Sequence, residues 1–210
     1  MGVFHRLQRV PMPRPLLYYI RHGETAWNAE GRVQGSRDIP LNDKGMGQAS
    51  AAGTILARLL KQNGHEAARL DYVSSPLGRA RHTMDLLRAQ LGLPAEGYRI
   101  EDQLREIAYG DWEGMTFPEM EAHNPAHYAL RLQDKWATAA PSGESYAEVA
   151  DRLGLWYGAL AADTVVVAHG GTMRALMVTL GHLDAQEASD TRIDQGVVYV
   201  FGNNGLEKFG

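Results

Sequence analysis

The sequence of 210 residues contains no cysteine, which excludes disulfides and thiolate chemistry. The sequence also has no excess of basic residues. It contains 21 Lys and Arg and 25 Asp and Glu, which gives a formal net charge of -4. A nucleic-acid-binding face needs a basic surplus, so we expect no nucleic-acid partner. No apolar run is long enough to span a bilayer, so we expect no membrane association. These absences favour a cytoplasmic protein.

The apolar residues that are present follow an alternation of strand and helix patterns. Short apolar runs predict strands, including a closing hairpin, at residues 16–20, 70–74, 163–168, 197–201 and 206–209. Helical spacing predicts helices at residues 43–61, 75–91, 144–160 and 172–180. This order predicts an α/β fold in three layers, α/β/α, around a mostly parallel central sheet.

The ends of the chain and one internal region depart from this alternation. Residues 1–15 are rich in proline and basic residues and predict a flexible N-terminal extension. Residues 16–210 are then expected to form a single domain. Within it, residues 107–141 mix aromatic, proline and charged residues without one clean period, and predict a small, partly helical lid.

Three predicted strands are each followed by residues suited to binding an oxyanion. Arg21, His22 and Gly23 follow the first strand, and Arg79 lies in SSPLGRARHT after the second. His169 and two glycines follow the third. Ligands of open α/β sheets bind beyond the carboxyl ends of the strands. Guanidinium groups match phosphate oxygens, and a glycine-rich helix N-terminus adds N–H donors, so the sequence predicts a phosphoryl-binding pocket.

The two histidines in this pocket suggest how such a site reacts. Neighbouring cations favour the neutral imidazole, because a like charge disfavours protonation. A neutral imidazole becomes a nucleophile when its other nitrogen is held as an N–H donor, for example to a backbone carbonyl. Phosphoryl transfer also needs an acid for the leaving oxygen, which a carboxyl group can supply.

Six motifs in the sequence resemble, in order, those of the histidine phosphatase (phosphoglycerate mutase-like) superfamily. They are RHGETAWN, VQGSRDIPLNDKG, SSPLGRARHT, LREIAYGDWEG, SGES and AHGGTMRAL. The resemblance covers about residues 16–210, and it implies the superfamily's fold and an enzyme without a metal or organic cofactor.

The resemblance also implies roles for individual residues. His22 would be the nucleophile that becomes phosphohistidine, with Arg21, Arg79 and His169 clamping the phosphate. Glu106 matches the family's proton donor. The further residues expected to bind substrate are Thr25, Asn28, Gln34, Gly35 and Gly170.

Some of these assignments have competitors in the sequence. Asp111 and Glu113 are carboxylates near Glu106, and Arg81 lies close to Arg79. Thr25 has the alternative role of capping the helical turn that follows it. His123 and His127 have the spacing of a metal-binding pair, but the proline between them argues against a regular helix there, and we expect no metal.

The resemblance implies a metal-independent phosphomonoesterase that acts on a small phosphorylated metabolite. Cofactor-dependent mutases carry Leu-Asn-Lys after the glycine that corresponds to Gly114, followed by a longer basic insertion. The corresponding segment of this sequence is GMTFPEMEAHNPAHY. It contains no lysine, which favours the phosphatase branch. A phosphoglycerate mutase and a non-catalytic phosphate- or protein-binding relative remain the alternatives. The sequence leaves the oligomeric state open, with a homodimer as one option.

Overall fold

The computed structural model describes residues 15–203 and 205–210 of the chain. The predicted N-terminal extension, residues 1–15, lies outside the described residues except for its last position. The prediction of one domain over residues 16–210 stays a prediction.

A six-stranded sheet forms the centre of the described chain. Its strands are β1 (Leu17–Arg21), β2 (Asp71–Ser74), β3 (Arg99–Ile100), β4 (Thr164–Ala168), β5 (Val198–Gly202) and β6 (Gly205–Phe209). They lie in the order β3-β2-β4-β1-β5-β6. The pairs β1·β4, β2·β4 and β2·β3 are parallel, whereas β5 pairs antiparallel with β1 and forms a hairpin with β6. The predicted mostly parallel sheet is confirmed.

Helices cover both faces of the sheet. They are α1 (Ala26–Ala29), α2 (Asp43–Gln62), α3 (Gly78–Gln90), α4 (Phe117–His123), α5 (Pro125–Gln133), α6 (Tyr146–Gly158), α7 (Gly170–Thr179) and α8 (Ala185–Asp190). On one face α2 and α3 pack Leu56 and Leu87 onto the sheet, and on the other α6 and α7 pack Leu153 and Leu176. Each such side chain contributes about 1.5–3 kcal/mol on burial. The three-layer prediction is confirmed.

The register between β1 and β4 determines where the candidate site residues lie. Residues 17–20 of β1 are buried on both faces, which explains why the sequence shows a continuous apolar run rather than an alternating one. Arg21 pairs with Ala168 at the carboxyl ends of β1 and β4. The His22 N–H donates to the Ala168 carbonyl at 2.9 Å, so His22 and His169 leave the sheet side by side.

Two helix starts differ from the predicted positions. The helix expected from residue 75 begins at Gly78, because the Ser75 N–H instead donates to Val167 O at 3.0 Å and prolongs the strand pairing. The helix expected from residue 172 begins at Gly170, two residues earlier. The six-residue α8 was not expected, since its sequence is too short to show a helical period.

The predicted lid region contains the short helices α4 and α5. Trp112 is fully buried there, in a small cluster with Met120. The region is tied to the loop after α1, where Gly114 N–H donates to Val33 O at 2.9 Å and Val33 N–H to Met115 O at 3.0 Å. None of the described helices has the length and apolarity needed to cross a membrane.

Candidate active site

Two buried histidines face each other at the carboxyl ends of β1 and β4. The imidazole centroids of His22 and His169 lie 5.2 Å apart, and both residues are at most 1% exposed. Burial and the nearby guanidinium groups of Arg79 and Arg21 hold the pKa of His22 well below its ordinary value of 6.5. Burial and Arg79 do the same to the pKa of His169. Both rings are therefore neutral at pH 7.

The backbone selects the tautomer of His22. Its Nδ1 lies 2.7 Å from the carbonyl oxygen of Gly23. A carbonyl only accepts hydrogen bonds, so Nδ1 carries the proton and Nε2 keeps a lone pair. This is the arrangement that a nucleophilic imidazole requires.

His169 is held by its backbone and by one end of its ring. The Tyr19 hydroxyl lies 2.7 Å from the His169 carbonyl and 3.1 Å from its N–H, which fixes the backbone where β4 ends. The ring Nε2 lies 2.7 Å from Ser75 Oγ. A Ser75 hydroxyl that donates to Nε2 places the ring proton on Nδ1, the nitrogen that can then donate to a phosphate oxygen.

The arginines of the predicted clamp are anchored by carbonyls rather than by carboxylates. Arg21 Nη1 donates to Ile193 O at 2.7 Å, and Arg79 Nη2 donates to Gly35 O at 2.8 Å. Arg79 lies only at the limit of an ion pair with the half-exposed Asp38, at 3.9 Å. Carbonyls orient a guanidinium without neutralising it, so both positive charges remain available for an anion.

Buried nitrogens without partners mark the pocket. Four buried side-chain nitrogens or oxygens in the described chain have no hydrogen-bond partner, and three of them are Arg21 Nε, Arg79 Nε and His169 Nδ1. An unpartnered buried polar group costs about 1–3 kcal/mol, and native proteins keep few of them. Three in one pocket fit a site that is completed by a bound oxyanion.

Glu106 sits at the N-terminus of α7, beside this pocket. Its Oε1 accepts from the N–H groups of Ile107 at 3.0 Å and Thr172 at 3.2 Å, and its Oε2 accepts from Gly171 N–H at 3.2 Å. A Cβ on Gly171 would lie 2.4 Å from Glu106 Oε1, so only glycine permits this approach. These contacts also explain why α7 starts early, since they satisfy N–H groups of its first turn.

Asp111 and Glu113, the two carboxylates that compete with Glu106 for the role of proton donor, have other partners. Asp111 accepts from the Ser142 hydroxyl at 3.2 Å, and Glu113 accepts from the N–H and hydroxyl of Ser36 at 2.7 and 2.9 Å. Neither contacts the N-terminus of α7. Arg81 is exposed on α3 whereas Arg79 is 1% exposed, so the structure places Arg79 in the pocket.

The rim residues take different positions. Asn28 Oδ1 accepts from Thr25 N–H at 3.2 Å and from Gln195 Nε2 at 3.1 Å, which leaves the amide nitrogen of Asn28 for a substrate oxygen. Thr25 is fully buried and caps α1, and its hydroxyl lies 3.0 Å from Gln34 Oε1. Thr25 and Gln34 therefore support the rim rather than line it.

The two glycines of the predicted set contribute backbone groups. Gly35 has a φ of +54° and turns its carbonyl toward Arg79. Gly170 is the first residue of α7, so its N–H takes no part in the hydrogen bonds of the helix.

Several supporting residues were not assigned from the sequence. Ser75 and Tyr19 position His169, and Gln195 donates to His22 O at 3.1 Å. Glu144, in the SGES motif, accepts from Ala108 N–H at 2.9 Å and so fixes the loop that carries Glu106. Only Ser75 and Glu144 lie in quoted motifs, and nothing local in the sequence marks Tyr19 or Gln195, whose partners are distant in the chain.

His123 and His127 lie on two different short helices, α4 and α5. His127 Nε2 lies 2.9 Å from Ala139 O, and Asn124 separates α4 from α5 between the two histidines. Among the described residues there is no group of three or more His, Cys, Asp or Glu that could hold a metal ion.

Fold and site together define an α/β enzyme that handles phosphoryl groups. The family model described as "Histidine phosphatase superfamily (branch 1)" matches residues 17–206. The chain therefore belongs to the histidine phosphatase superfamily, and the resemblance seen in its motifs is confirmed.

Proteins similar to this chain are named either phosphatases or phosphoglycerate mutases. The chain is 40% identical to a glucosyl-3-phosphoglycerate phosphatase of Mycolicibacterium vanbaalenii, over 78% of this chain and 73% of that protein. It is 32% identical to a 2,3-bisphosphoglycerate-dependent phosphoglycerate mutase of Beijerinckia indica, over 89% and 90%. The solved structure of a mycobacterial glucosyl-3-phosphoglycerate phosphatase matches with a TM-score of 0.74, 29% identity and 90% coverage of both chains.

Proposed function

We propose that this protein is a phosphomonoesterase that hydrolyses a small phosphorylated metabolite through a phosphohistidine on His22. The observation that carries the proposal is the buried clamp, in which a neutral imidazole faces two guanidinium groups with unpartnered Nε atoms. The enzyme class predicted from the sequence, a phosphatase-type hydrolase of this superfamily, agrees with the names of the relatives that are called phosphatases.

In the first step, Nε2 of His22 attacks phosphorus and the bond to the leaving oxygen breaks. Glu106, in its acid form, gives its proton to that oxygen. Arg21, Arg79 and the Nδ1 proton of His169 stabilise the charge on the non-bridging oxygens. The Gly170 N–H and the positive end of α7 add to this stabilisation.

In the second step, water attacks the phosphohistidine. Glu106, now a carboxylate, takes a proton from the water as the oxygen–phosphorus bond forms. The nitrogen–phosphorus bond breaks, which releases inorganic phosphate and returns His22 to its neutral form. No step requires a metal or an organic cofactor.

Phosphatase is favoured over phosphoglycerate mutase as the particular activity. The relative with 40% identity is named a phosphatase, and the lid lacks the Leu-Asn-Lys and the long basic insertion of cofactor-dependent mutases. The clamp residues are all present, which argues against a non-catalytic relative. A cytoplasmic location and a homodimer are further proposals, to be checked by fractionation and by light scattering of the purified protein.

The test uses p-nitrophenyl phosphate with EDTA present. Wild type is expected to release phosphate, whereas His22→Ala is expected to lose at least about 10³-fold in kcat, since the covalent route is gone. Arg81→Gln, on the exposed face of α3, is the matched control. Full turnover by His22→Ala, or complete loss of wild-type turnover in EDTA, contradicts the mechanism.

The mutase alternative is tested separately. Wild type is given 3-phosphoglycerate with a trace of 2,3-bisphosphoglycerate as primer, and both isomer formation and phosphate release are followed. Efficient isomerisation without phosphate release would reverse the choice.

A further inference from the structure

A pocket of about 150 Å³ lies under the lid. Most of its lining is apolar or aromatic, from both the lid and the body of the fold. Its walls include Tyr109, Trp112, Met120 and Tyr146, with Arg131 and Arg174 as basic residues. A cavity of this volume in another protein admits benzene, so the pocket has room for one ring-sized group.

The pocket is adjacent to the phosphate clamp. An ideal Cβ on Gly170 would lie 3.4 Å from Arg21 Nε and 3.6 Å from Arg174 Nη1, which puts these two nitrogens within about 7 Å of each other. Arg21 belongs to the clamp and Arg174 to the pocket. A phosphate on Arg21 therefore places the substrate's leaving group within reach of the pocket.

The charged lining of the pocket is entirely basic. Arg131, Lys135 and Arg174 contribute to it, and no Asp or Glu of the described chain does. Lys135 is paired with Asp190 on α8. Neither Arg131 nor Arg174 has a carboxylate within ion-pair distance among the described residues.

The two unpaired arginines are nevertheless fixed in place. Arg131 is 7% exposed, donates to Thr138 O, and lies over the rings of Tyr109 and Tyr146 at 5.6 and 6.0 Å. Arg174 Nε donates to Thr191 O at 2.8 Å. Buried charges are normally neutralised by a partner, yet the buried Arg131 and the half-buried Arg174 have no carboxylate in direct contact among the described residues. Trp112 also lines the pocket, and its indole N–H has no hydrogen-bond partner.

We propose that this pocket is a leaving-group subsite for an alcohol or phenol that carries a ring-sized apolar body and a carboxylate. The aromatic walls pack against the body of the leaving group, and Arg131 and Arg174 bind the carboxylate. A guanidinium pairs with a carboxylate through two parallel hydrogen bonds, so the subsite selects for the anion. The inference rests on the proposed phosphatase function, and it names the class of substrate.

The test compares pairs of substrates that differ only in charge. They are 3- and 4-carboxyphenyl phosphate, each matched with its carbamoylphenyl phosphate, which has nearly the same shape but no charge. For wild type we expect kcat/KM of at least one acid to exceed that of its amide about tenfold. The amide withdraws electrons more strongly than the carboxylate, so leaving-group chemistry works against this preference.

Two variants assign the preference to the subsite. Arg131→Gln is expected to bring the acid-to-amide ratio down to about 1. Arg69→Gln removes a positive charge from an exposed pair with Glu66 and is expected to keep the wild-type ratio. The ratio is internal to each variant, so a general loss of activity cancels from it. A wild-type ratio at or below 1, or an unchanged ratio in Arg131→Gln, overturns the proposal.

Binding separates failure of this inference from failure of the proposed function. Calorimetry with His22→Ala measures the affinity for each acid and amide without turnover. Tighter binding of an acid supports the subsite even if wild type hydrolyses none of the esters. Equal affinities for acid and amide overturn the subsite even if wild type hydrolyses p-nitrophenyl phosphate rapidly.

Discussion

Single hydrogen bonds distinguish the two active-site histidines, although both are buried beside the same cations. His22 Nδ1 faces a carbonyl, which only accepts, and this leaves the lone pair on Nε2, the nitrogen that we propose as the nucleophile. His169 Nε2 faces the Ser75 hydroxyl, and when that hydroxyl donates, the ring proton lies on Nδ1. In the proposed mechanism the same residue type thus serves as nucleophile in one position and as donor in the other.

Replacement of Ser75 with alanine tests the donor role of His169. Without the hydroxyl the ring loses the bond that sets its tautomer, and kcat is expected to fall about tenfold, the equivalent of one hydrogen bond. Ser74→Ala is the matched control, because the Ser74 hydroxyl bonds only to the neighbouring Ser75 carbonyl. Nitrogen NMR of the His169 ring should show a changed tautomer population in Ser75→Ala, and an unchanged one would argue against the assignment.

Replacement of Glu106 with glutamine tests the proton donor. The loss in kcat is expected to be about 10²–10⁴-fold for an alkyl phosphate, whose leaving oxygen needs a proton. It should be much smaller for p-nitrophenyl phosphate, because nitrophenolate leaves without one. Asp111→Asn removes the competing carboxylate and should leave both substrates within about twofold of wild type. Equal losses on both substrates in Glu106→Gln would contradict a role as acid.

At the scale of elements, the start of α7 joins the helix to the catalytic loop. Glu106 accepts from two N–H groups of the first turn, and Gly171 leaves the space in which its carboxylate lies. The SGES glutamate, Glu144, holds the following residues of the same loop through Ala108 N–H. Gly171 thus admits a carboxylate to the N-terminus of α7.

Gly171→Ala tests this contact between elements. The new Cβ would lie 2.4 Å from Glu106 Oε1 and 2.5 Å from Ile107 Cγ2. We expect a loss of about 1–3 kcal/mol in the free energy of unfolding, together with at least about tenfold in kcat, because the loop must move. Gly154→Ala in α6 is the control, since its Cβ would meet nothing closer than 3.6 Å. Denaturant unfolding of the two variants measures the difference, and equal stability would refute the account.

At the scale of the whole molecule, the neutral histidines couple stability to pH. The pKa values of His22 and His169 are held well below 6.5 by burial first and by the arginines second. As the pH falls below about 6.5, these two histidines become protonated in the unfolded chain but stay neutral in the folded chain. The free energy of unfolding is therefore not reduced by these histidines above pH 6.5. It decreases as the pH falls from 6.5 toward their lowered pKa values in the folded state.

The measurable consequence is a melting temperature that falls between pH 7 and pH 5. A variant with both His22 and His169 replaced by asparagine should lose part of this slope, because asparagine does not titrate. Calorimetric scans of both proteins at several pH values make the comparison. A double variant with the full wild-type slope would assign the pH dependence to other groups.

The sequence by itself determined the layers of the fold, and it supplied the residues that we propose as the reacting set. Continuous apolar runs such as that of β1 belong to strands buried on both faces. Arg21 ends β1, and His22 and His169 directly follow β1 and β4. Those signals are local, so they are readable without a structure. The sequence predicted the starts of two helices wrongly, at residues 75 and 172. The helices begin at Gly78 and Gly170 because hydrogen bonds from distant segments set their starts.

Only the tertiary structure decided how those residues are used. Tyr19 and Gln195 reach their partners across 150 and 173 positions of the chain, a distance that no local pattern reveals. Likewise, Arg131 from the lid and Arg174 from α7 meet in one basic pocket that the composition of the lid alone had hidden. For Tyr19 and Gln195 the physical reason is the pairing of β1 with β4 on one side and β5 on the other, which brings segments far apart in sequence together.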